Sequence, residues 1–261
     1  MNIKVTKAHG TGNDFVIIYD NNNHDKIKSP DFIQEICNRK KGIGANGLIL
    51  LSDHDHYDYR MDYFNNDGGW ETLCANGSRC AALLMQKNNL CSNNIRFITG
   101  DGEHKIKIVN KNSIALSMAK PHFKTDEITV SDFNGKFVDS GAKHFATIID
   151  TISYNDVKKY GSEIRCDAQF SPDGVNVNFM KIITPNHIKV CTYEKGIENM
   201  VQSCGSGSVA SAFYASSLNK IKSPLKISVP GGELELIFSD SWEEIWLTGP
   251  ARLSFDTAWK L

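Results

Sequence analysis

Cys74-Ala75-Asn76-Gly77-Ser78 and Cys204-Gly205-Ser206-Gly207-Ser208 are two similar stretches that stand 130 residues apart in a chain of 261 residues. The same offset, without a gap, pairs further residues around them: Gly44 with Gly174, Asn46 with Asn176, Tyr63 with Tyr193, Gly102 with Gly232 and Glu103 with Glu233. A sequence that matches itself when shifted by half its own length contains an internal repeat. We therefore expect two similar lobes that each carry one of these cysteines.

Each half shows the same order of predicted elements. An apolar stretch and a strand ending near Tyr63 or Tyr193 precede the cysteine, and the runs 78–85 and 210–215 then predict a helix. Gly-bearing turns and strand-like stretches follow at 104–109 and 234–238. These patterns predict an α/β (α+β) fold with an N-terminal lobe at 1–120 and a C-terminal lobe at 121–250. The sequence leaves open whether the segment 251–261 returns to the N-terminal lobe.

The composition bounds the possible partners. Lys and Arg total 29 against 30 for Asp and Glu, so we expect neither a nucleic-acid nor a membrane-surface partner. The N-terminus lacks the apolar block of a signal peptide and no run is long enough to span a membrane, which favours a cytoplasmic protein. A small-molecule partner is expected. The 7 cysteines form no C-x-x-C pair, so free thiols and no metal site are predicted.

Both repeated cysteines precede a predicted helix in a loop of small residues. Small residues let a ligand approach the backbone closely, and the free N–H groups of a helix's first turn bind anions such as carboxylates. The same field lowers the pKa of a free thiol from about 8.5 towards neutrality. Two thiols related by a repeat therefore suggest a cleft between the lobes with a thiol on each wall.

Two acid–base groups that face one carbon suit a stereoinversion. One thiolate removes the α-proton of an amino acid while the opposite thiol donates a proton to the other face, and no electron-sink cofactor is strictly required. A buried cysteine is more commonly an inert small hydrophobic residue. We keep that interpretation for the other five cysteines: Cys37, Cys80, Cys91, Cys166 and Cys191.

Three motifs resemble those of the diaminopimelate epimerase family, whose members are pyridoxal-independent. They are His9-Gly10-Thr11-Gly12-Asn13-Asp14-Phe15, then Tyr63 to Gly69 leading through Glu71 to Cys74-Ala75-Asn76-Gly77-Ser78-Arg79-Cys80, and Tyr193-Glu194-Lys195-Gly196 followed by Ser203-Cys204-Gly205-Ser206-Gly207. The resemblance runs from residue 5 to about residue 250. It implies two lobes, each a β-barrel-like sheet around a central helix, and a homodimer.

The resemblance also implies roles for individual residues. Cys74 and Cys204 would be the catalytic bases, with Glu194 and His144 supporting the thiols and the substrate ammonium group. The implied substrate-binding residues are Asn13, Asn65, Ala75, Asn76, Gly77, Asn176, Lys195, Gly205 and Ser206.

Four departures bear on the substrate rather than on proton transfer. Ala142 stands where the family usually has an amide, Lys195 where an Arg would hold a distal carboxylate, Asn46 where Asp is usual, and Ala75 where Gly is usual. Lys cannot form the planar bidentate contact of Arg.

The motifs and the retained asparagines make epimerisation of LL- to meso-diaminopimelate, in lysine and cell-wall synthesis, the leading hypothesis. The second hypothesis is a racemase of another amino acid with the same two thiols. A non-catalytic amino-acid-binding module and a thiol redox switch are the third and fourth hypotheses.

Two weaker patterns are set aside. The run 42–47 matches G-x-G-x-x-G, but a predicted helix precedes it and a strand follows it, which is the wrong order for dinucleotide binding. The run 53–56, Asp-His-Asp-His, lies between two predicted strands and is interpreted as a solvated hairpin loop rather than a metal site.

Overall fold

A computed structural model describes residues 2–20, 25–110, 112–151 and 153–261. The chain forms two compact units. Unit 1 comprises 1–116 together with 249–261, and unit 2 comprises 117–248. Within the described residues no helix is both long and apolar enough to cross a membrane.

In its described residues unit 1 has two α-helices, a run of strands from the first part of the chain, and one strand from the segment 249–261. Its elements are β1 (Asn2–Gly10), β2 (Asn13–Tyr19), α1 (Pro30–Cys37), β3 (Gly47–Ser52), β4 (Tyr59–Asn65), β5 (Trp70–Glu71), α2 (Ala75–Lys87), β6 (Asn94–Thr99), β7 (Gly102–Asn110) and β8 (Ser113–Ser117). A short 3-10 helix covers Asp25–Lys28. The closing strand is Arg252–Lys260, which is β18 in chain order.

The strands of unit 1 alternate antiparallel and parallel neighbours around α2. β1 lies between β2 and β18, antiparallel to both, and β2 pairs in parallel with β3. β4 pairs with β3 and β5 in antiparallel fashion and with β6 in parallel, and β7 connects β6 to β8. Helix α2 contacts β1, β2, β3, β4, β7 and β18, so strands surround it. Helix α1 covers the other face of the sheet through a core of buried apolar side chains that includes Ile33, Ile36 and Leu48.

Unit 2 repeats this order of elements. It comprises β9 (His122–Val130), β10 (Phe133–Asp139), β11 (Lys143–Ile148), α3 (Tyr154–Arg165), β12 (Asn176–Thr184), β13 (His187–Glu194), β14 (Asn199–Met200), α4 (Gly205–Ser217), β15 (Leu225–Val229), β16 (Gly232–Phe238) and β17 (Ile245–Gly249). A 3-10 helix covers Ala168–Phe170. Parallel pairs form between β11 and β12 and between β13 and β15, as they do at the corresponding places of unit 1.

Local sequence explains where the outer helices begin. Ser29 caps α1, whose first residue is Pro30, and Ser153 caps α3 by accepting a hydrogen bond from the backbone of Asp156. Proline suits the first helical position because its missing N–H has no intrahelical partner there. The buried side of α3 packs on the core of unit 2 through Val157 and Ile164.

The repeat contains a one-residue gap. Helices α2 and α4 match at an offset of 130 residues, as predicted. In the strands before these helices, Ile49 pairs with Tyr63 in unit 1 and Asn178 pairs with Thr192 in unit 2. Each residue of the second pair follows its counterpart in the first by 129 residues, so the offset in the strands is 129. The ungapped alignment of Tyr63 with Tyr193 is therefore wrong, because a shift of one residue moves a strand's side chains to the opposite face. The predicted fold of two similar α/β lobes is confirmed.

Candidate functional site

The two repeated cysteines occupy the N-cap positions of α2 and α4. Cys74 has φ −128° and ψ 107°, and Cys204 has φ −125° and ψ 114°. Both side chains are half-buried. The four N–H groups of a helix's first turn have no partner within the helix and carry its positive dipole end, so each thiol stands next to a potential anion-binding position.

A serine four residues after each cysteine fixes its backbone. The Ser78 hydroxyl donates to the carbonyl of Cys74 at 2.9 Å, and the Ser208 hydroxyl donates to the carbonyl of Cys204 at the same distance. The backbone amides of the two serines donate to the same carbonyls at 2.8 and 3.0 Å. The sequence therefore builds the same cap twice.

The remaining cysteines are less suited to acid–base chemistry. Burial raises the pKa of the Cys37 thiol and of the Cys80 thiol to about 12, and that of Cys91 to about 11. Burial also raises the pKa of Cys191. Cys166 lies exposed on the surface. A thiol must ionise to act as a base, so the raised pKa values favour an inert role for the four buried or half-buried cysteines, Cys37, Cys80, Cys91 and Cys191.

In unit 1 a buried arginine lies beneath the first turn of α2. Arg79 is fully buried, and its Nη2 atom donates to Asn76 Oδ1 and, at 3.0 Å, to Thr11 Oγ1. Its Nε and Nη1 atoms have no hydrogen-bond partner among the described residues. Burial lowers the pKa of Arg79 to about 10, partly offset by the Cys80 and Cys74 thiols, so the guanidinium stays charged at neutral pH. This cation favours negative charge at the cap of α2.

A second polar cluster positions Asn13. Asn46 donates to Asn13 Oδ1 at 2.9 Å, and Arg39 donates to Asn46 Oδ1 at 2.7 Å. Arg39 and Lys7 also bind the Asp14 carboxylate at 2.7 and 2.6 Å. Burial by itself raises the pKa of Asp14, but the hydrogen bonds from Arg39 and Lys7 outweigh it and the net shift is downward. Asn46 therefore contributes to the setting of Asn13.

The other predicted site residues of unit 1 lie on β4 and α2. Asn65 ends β4, where it accepts a hydrogen bond from the Tyr63 hydroxyl at 2.8 Å and donates to Glu71 at 3.3 Å. Ala75 is the first residue of α2. A Cβ atom on Gly77 would lie 2.8 Å from Ile49 Cδ1 and 3.5 Å from Cys74 Sγ. The glycine therefore leaves room for the Ile49 side chain, and a Cβ atom would be in ordinary contact with the sulfur atom.

In unit 2 the structure brings His144, Ser206 and Cys204 together. His144 Nε2 lies 3.0 Å from Ser206 Oγ, which lies 3.6 Å from Cys204 Sγ. On its other side His144 Nδ1 is 3.0 Å from the amide nitrogen of Asn178. Complete burial lowers the pKa of His144 to about 3, against the opposing effect of the Asn178 hydrogen bond, so the imidazole is neutral at ordinary pH.

The remaining predicted residues of unit 2 lie at strand ends and at the start of α4. The backbone amide of Lys195 donates to Asn176 Oδ1 at 2.9 Å, and Asn176 donates to the carbonyl of Lys143 at 3.3 Å. Glu194 is the half-buried last residue of β13. Gly205 is the first residue of α4 and is buried. Asn176 thus links the start of β11 to the segment that carries Lys195.

The donor set suits an anionic organic ligand. The described residues contain no cluster of three or more His, Cys, Asp or Glu side chains with the spacing of a metal site. Each unit instead offers a helix N-terminus, a cysteine with a half-buried thiol at the N-cap position, and hydrogen-bonded asparagine side chains. Such groups can hold a carboxylate and exchange a proton.

The sequence profile of the diaminopimelate epimerase family matches residues 5–124 and 136–254, which is most of the chain. This chain belongs to the diaminopimelate epimerase family. The family relationship predicted from the motifs is confirmed, and with it the assignment to an isomerase family.

Curated members of the family align with nearly the whole chain. The diaminopimelate epimerase of Flavobacterium psychrophilum is 36% identical over 259 residues, covering 98% of this chain and 99% of that protein. The diaminopimelate epimerase of Chlorobaculum tepidum is 35% identical over 247 residues, covering 93% of this chain and 96% of that protein.

Solved structures of other proteins share the fold. A PhzF-family phenazine biosynthesis protein of Bacillus anthracis gives a TM-score of 0.78 at 13% identity, with 100% of both chains covered. A hydroxyproline epimerase of Agrobacterium vitis gives a TM-score of 0.73 at 13% identity, with 98% of this chain and 92% of that chain covered. At this level of identity the comparison concerns the fold alone.

Three polar residues that belong to hydrogen-bond networks with predicted site residues had no role of their own predicted from the sequence: Arg79, Asn178 and Thr192. Arg79 was part of a motif without a role of its own, and Asn178 and Thr192 lie in strands that read as apolar. The sequence pattern could have indicated Asn178, because Asn176 and Asn178 alternate with apolar residues and so share one face of β12. A buried amide on a strand requires partners, which points to a polar network.

Proposed function

We propose that this protein inverts one α-carbon of diaminopimelate, converting the LL form to the meso form, with Cys74 and Cys204 as the two acid–base groups. One observation supports this above all. Two cysteines with half-buried thiols occupy the N-cap positions of two helices with nearly the same backbone angles, in a chain of the diaminopimelate epimerase family. The relatives named diaminopimelate epimerase suggest the substrate.

The proposed reaction exchanges one proton for another. The thiolate of one cysteine takes the α-proton, and the electrons of the broken C–H bond pass to the α-carbon and its carboxylate. The thiol of the other cysteine then gives its proton to the opposite face of the carbon. The cysteines end with their protonation states exchanged, so atoms and charge balance.

The carboxylate of the substrate is where negative charge accumulates. In the proposal the first N–H groups of α2 and α4, at Ala75-Asn76 and Gly205-Ser206, bind this carboxylate. Fixed backbone dipoles stabilise developing charge more effectively than water does, because they need not reorient. The charge of Arg79 supports the same end of α2.

The other residues bind the rest of the substrate in this proposal. Glu194 and His144 support the thiols and the substrate ammonium group, with His144 acting as a neutral hydrogen-bonding group because burial lowers its pKa to about 3. The residues proposed to bind the other polar groups of the substrate are Asn13, Asn65, Gly77, Asn176 and Lys195.

Deuterium exchange tests the proposal. LL-diaminopimelate is incubated with the protein in deuterated water, and mass spectrometry and NMR locate the label. We expect one deuterium at the inverted carbon for each turnover. Cys74→Ser and Cys204→Ser should each abolish inversion while the circular dichroism spectrum stays that of the wild type.

Cys166→Ser is the matched control, because it removes an exposed thiol remote in sequence from both caps. It should retain full activity. Inversion by either cap variant at the wild-type rate would remove that cysteine from the role assigned. Activity that survives oxidation of both cap thiols would contradict the mechanism, since each must carry a proton.

A second candidate function is racemisation of another amino acid by the same thiols. Ala142 and Lys195 support it, because neither offers the amide or guanidinium group that would hold a distal carboxylate. The same exchange experiment with a panel of amino acids separates the two functions. Exchange confined to diaminopimelate excludes the second, and exchange with another amino acid alone excludes the first.

A cytoplasmic homodimer completes the proposal. Both properties rest on the resemblance to the family and on the biosynthetic reaction proposed. Light scattering of the purified protein tests the dimer, with an expected mass twice the 29.1 kDa of one chain. A mass of one chain at assay concentration would exclude it.

A further inference from the structure

A line of hydrogen-bonded side chains extends through unit 2 to Cys204. The Thr192 hydroxyl donates to Asn178 Oδ1 at 2.8 Å, and Asn178 Nδ2 lies 3.0 Å from His144 Nδ1. His144 Nε2 lies 3.0 Å from Ser206 Oγ, and Ser206 Oγ lies 3.6 Å from Cys204 Sγ. We call Thr192, Asn178, His144 and Ser206 the polar relay.

The chemistry of each group sets the direction of donation. The oxygen of Asn178 accepts from Thr192, so its amide nitrogen faces His144 and donates to Nδ1. A neutral imidazole with Nδ1 as acceptor carries its proton on Nε2 and donates to Ser206. The hydroxyl hydrogen of Ser206 is then directed to the sulfur atom of Cys204. Burial, which lowers the pKa of His144 to about 3, keeps the imidazole in this neutral form.

The surroundings hold the polar relay in place. His144 and Asn178 are completely buried and Thr192 is 3% exposed, so water does not compete for their hydrogen bonds. The Ser140 hydroxyl donates to the carbonyl of Ser206 at 2.9 Å, which fixes the backbone of that residue. Three buried polar side chains are costly unless they are satisfied, so their mutual bonds define one arrangement.

Unit 1 has no such arrangement at the equivalent positions. At the offset of 129 residues, apolar Phe15 and Ile49 correspond to His144 and Asn178. Ile49 lies against Gly77 of α2 just as Asn178 lies against Gly207 of α4. The fold therefore does not require polar side chains there. The polar relay is an addition specific to the unit that carries Cys204.

We propose that the polar relay stabilises the thiolate of Cys204 by directing the Ser206 hydroxyl at its sulfur atom, with Thr192, Asn178 and His144 as positioning residues. This inference rests on the proposed function for its catalytic meaning. In unit 1 the buried charge of Arg79 interacts with the Cys74 thiol, and in unit 2 the Ser206 hydroxyl lies 3.6 Å from the Cys204 sulfur atom.

Alkylation of the wild-type protein and its variants tests the polar relay without any substrate. Iodoacetamide is added at pH 7, and mass spectrometry follows the peptides that carry Cys204 and Cys74. Loss of one hydrogen bond to a charged group lowers the thiolate fraction about tenfold, and the greater nucleophilicity of the more basic thiolate recovers about threefold. Ser206→Ala should therefore slow alkylation of Cys204 roughly threefold and leave Cys74 unchanged.

Thr192 supplies the sharper pair of variants. Thr192→Val keeps the shape and removes the hydroxyl that orients Asn178, so it should slow alkylation of Cys204 in the same direction as Ser206→Ala. Thr192→Ser restores a hydroxyl and should restore the wild-type rate. A merely structural role for Thr192 would not give this selective effect on Cys204 with Cys74 as the internal reference.

A measurement on the unaltered protein completes the test. Nitrogen-15 NMR of the imidazole of His144 should show the tautomer that is protonated at Nε2. Protonation at Nδ1, or equal alkylation rates of Cys204 in wild type and in both Ser206→Ala and Thr192→Val, would overturn the polar relay. Neither result would contradict the proposed function, because the deuterium exchange experiment tests that function separately.

Discussion

Replacing Gly207 by alanine gives a direct test of how closely α4 approaches the strand beside it. A Cβ atom at this position would lie 2.4 Å from Asn178 Oδ1 and 3.1 Å from Thr192 Oγ1. The end of a side chain can usually move away from such a contact. Asn178 cannot move freely, because it is completely buried and hydrogen-bonded to Thr192 and His144.

The cost follows from three contributions. Overpacking a buried site costs about 2 kcal/mol, and displacing the Asn178 amide leaves a buried hydrogen bond unmade, which costs about 2 kcal/mol more. Alanine returns about 1 kcal/mol because it favours a helix over glycine. We expect Gly207→Ala to lower the free energy of unfolding by about 3 kcal/mol, which moves the urea midpoint by about 1 M for a slope near 3 kcal/mol per M.

Gly77→Ala is the matched control in the other unit. There the new Cβ atom meets the terminal methyl group of Ile49 at 2.8 Å, and this methyl group can turn aside without breaking a hydrogen bond. The helix propensity of alanine then offsets most of the cost, and we expect a change below about 1 kcal/mol. Equal urea midpoints for Gly207→Ala and the wild type would refute the claim that hydrogen bonds fix Asn178.

Three further predictions concern charged groups. The folded-state pKa of Asp14 is lowered, so its contribution to stability is present above the unfolded pKa of about 3.9 and is lost as the pH falls through the folded value. Asp14→Asn should therefore be less stable than the wild type at pH 7, with the difference closing on acidification; urea titrations that show a constant gap would contradict this. Arg79→Lys replaces the terminal Nη2 atom, which donates to both Thr11 and Asn76, by an ammonium group on a side chain one bond shorter, and it should lose about 2 kcal/mol in the same assay; an unchanged midpoint would mean that these bonds add nothing. Lys195→Arg should lower the KM for diaminopimelate if this residue holds the distal carboxylate, and an unchanged KM would show that its side chain points elsewhere.

The sequence was most informative about the helix caps. Small residues, glycines and the repeated cysteine predicted where α2 and α4 begin, although the predicted helices at 78–85 and 210–215 were shorter than Ala75–Lys87 and Gly205–Ser217. Helix ends are set by hydrogen bonds of individual backbone groups, which periodicity does not resolve. The outer helix α3 received no prediction, although Ser153 as a cap and the buried spacing of Val157, Gly161 and Ile164 would have indicated it.

The surroundings of the thiols were harder to predict. The ungapped repeat aligned Tyr63 with Tyr193, and at that offset Ile49 does not align with Asn178. The correct alignment follows from strand register, which depends on pairing between separate segments of the chain. Arg79 was equally hidden, since arginine is usually exposed and only the folded structure shows that it is completely buried. Residue types and short motifs therefore indicated the chemistry, and tertiary packing determined which neighbours act on it.

Strand β18 has a consequence for the order in which the molecule can assemble. It pairs with β1 from Asn2, opposite Lys260, to His9, opposite Arg252, although it follows all the other described strands along the chain. Until β18 pairs with it, β1 keeps one edge open, and exposed edges invite pairing with other chains. Unit 2 is one continuous segment and can form before this closure, whereas unit 1 is complete only after β18 has been synthesised. Contacts so distant along the chain form slowly, so nascent unit 1 is the part that most needs protection by chaperones.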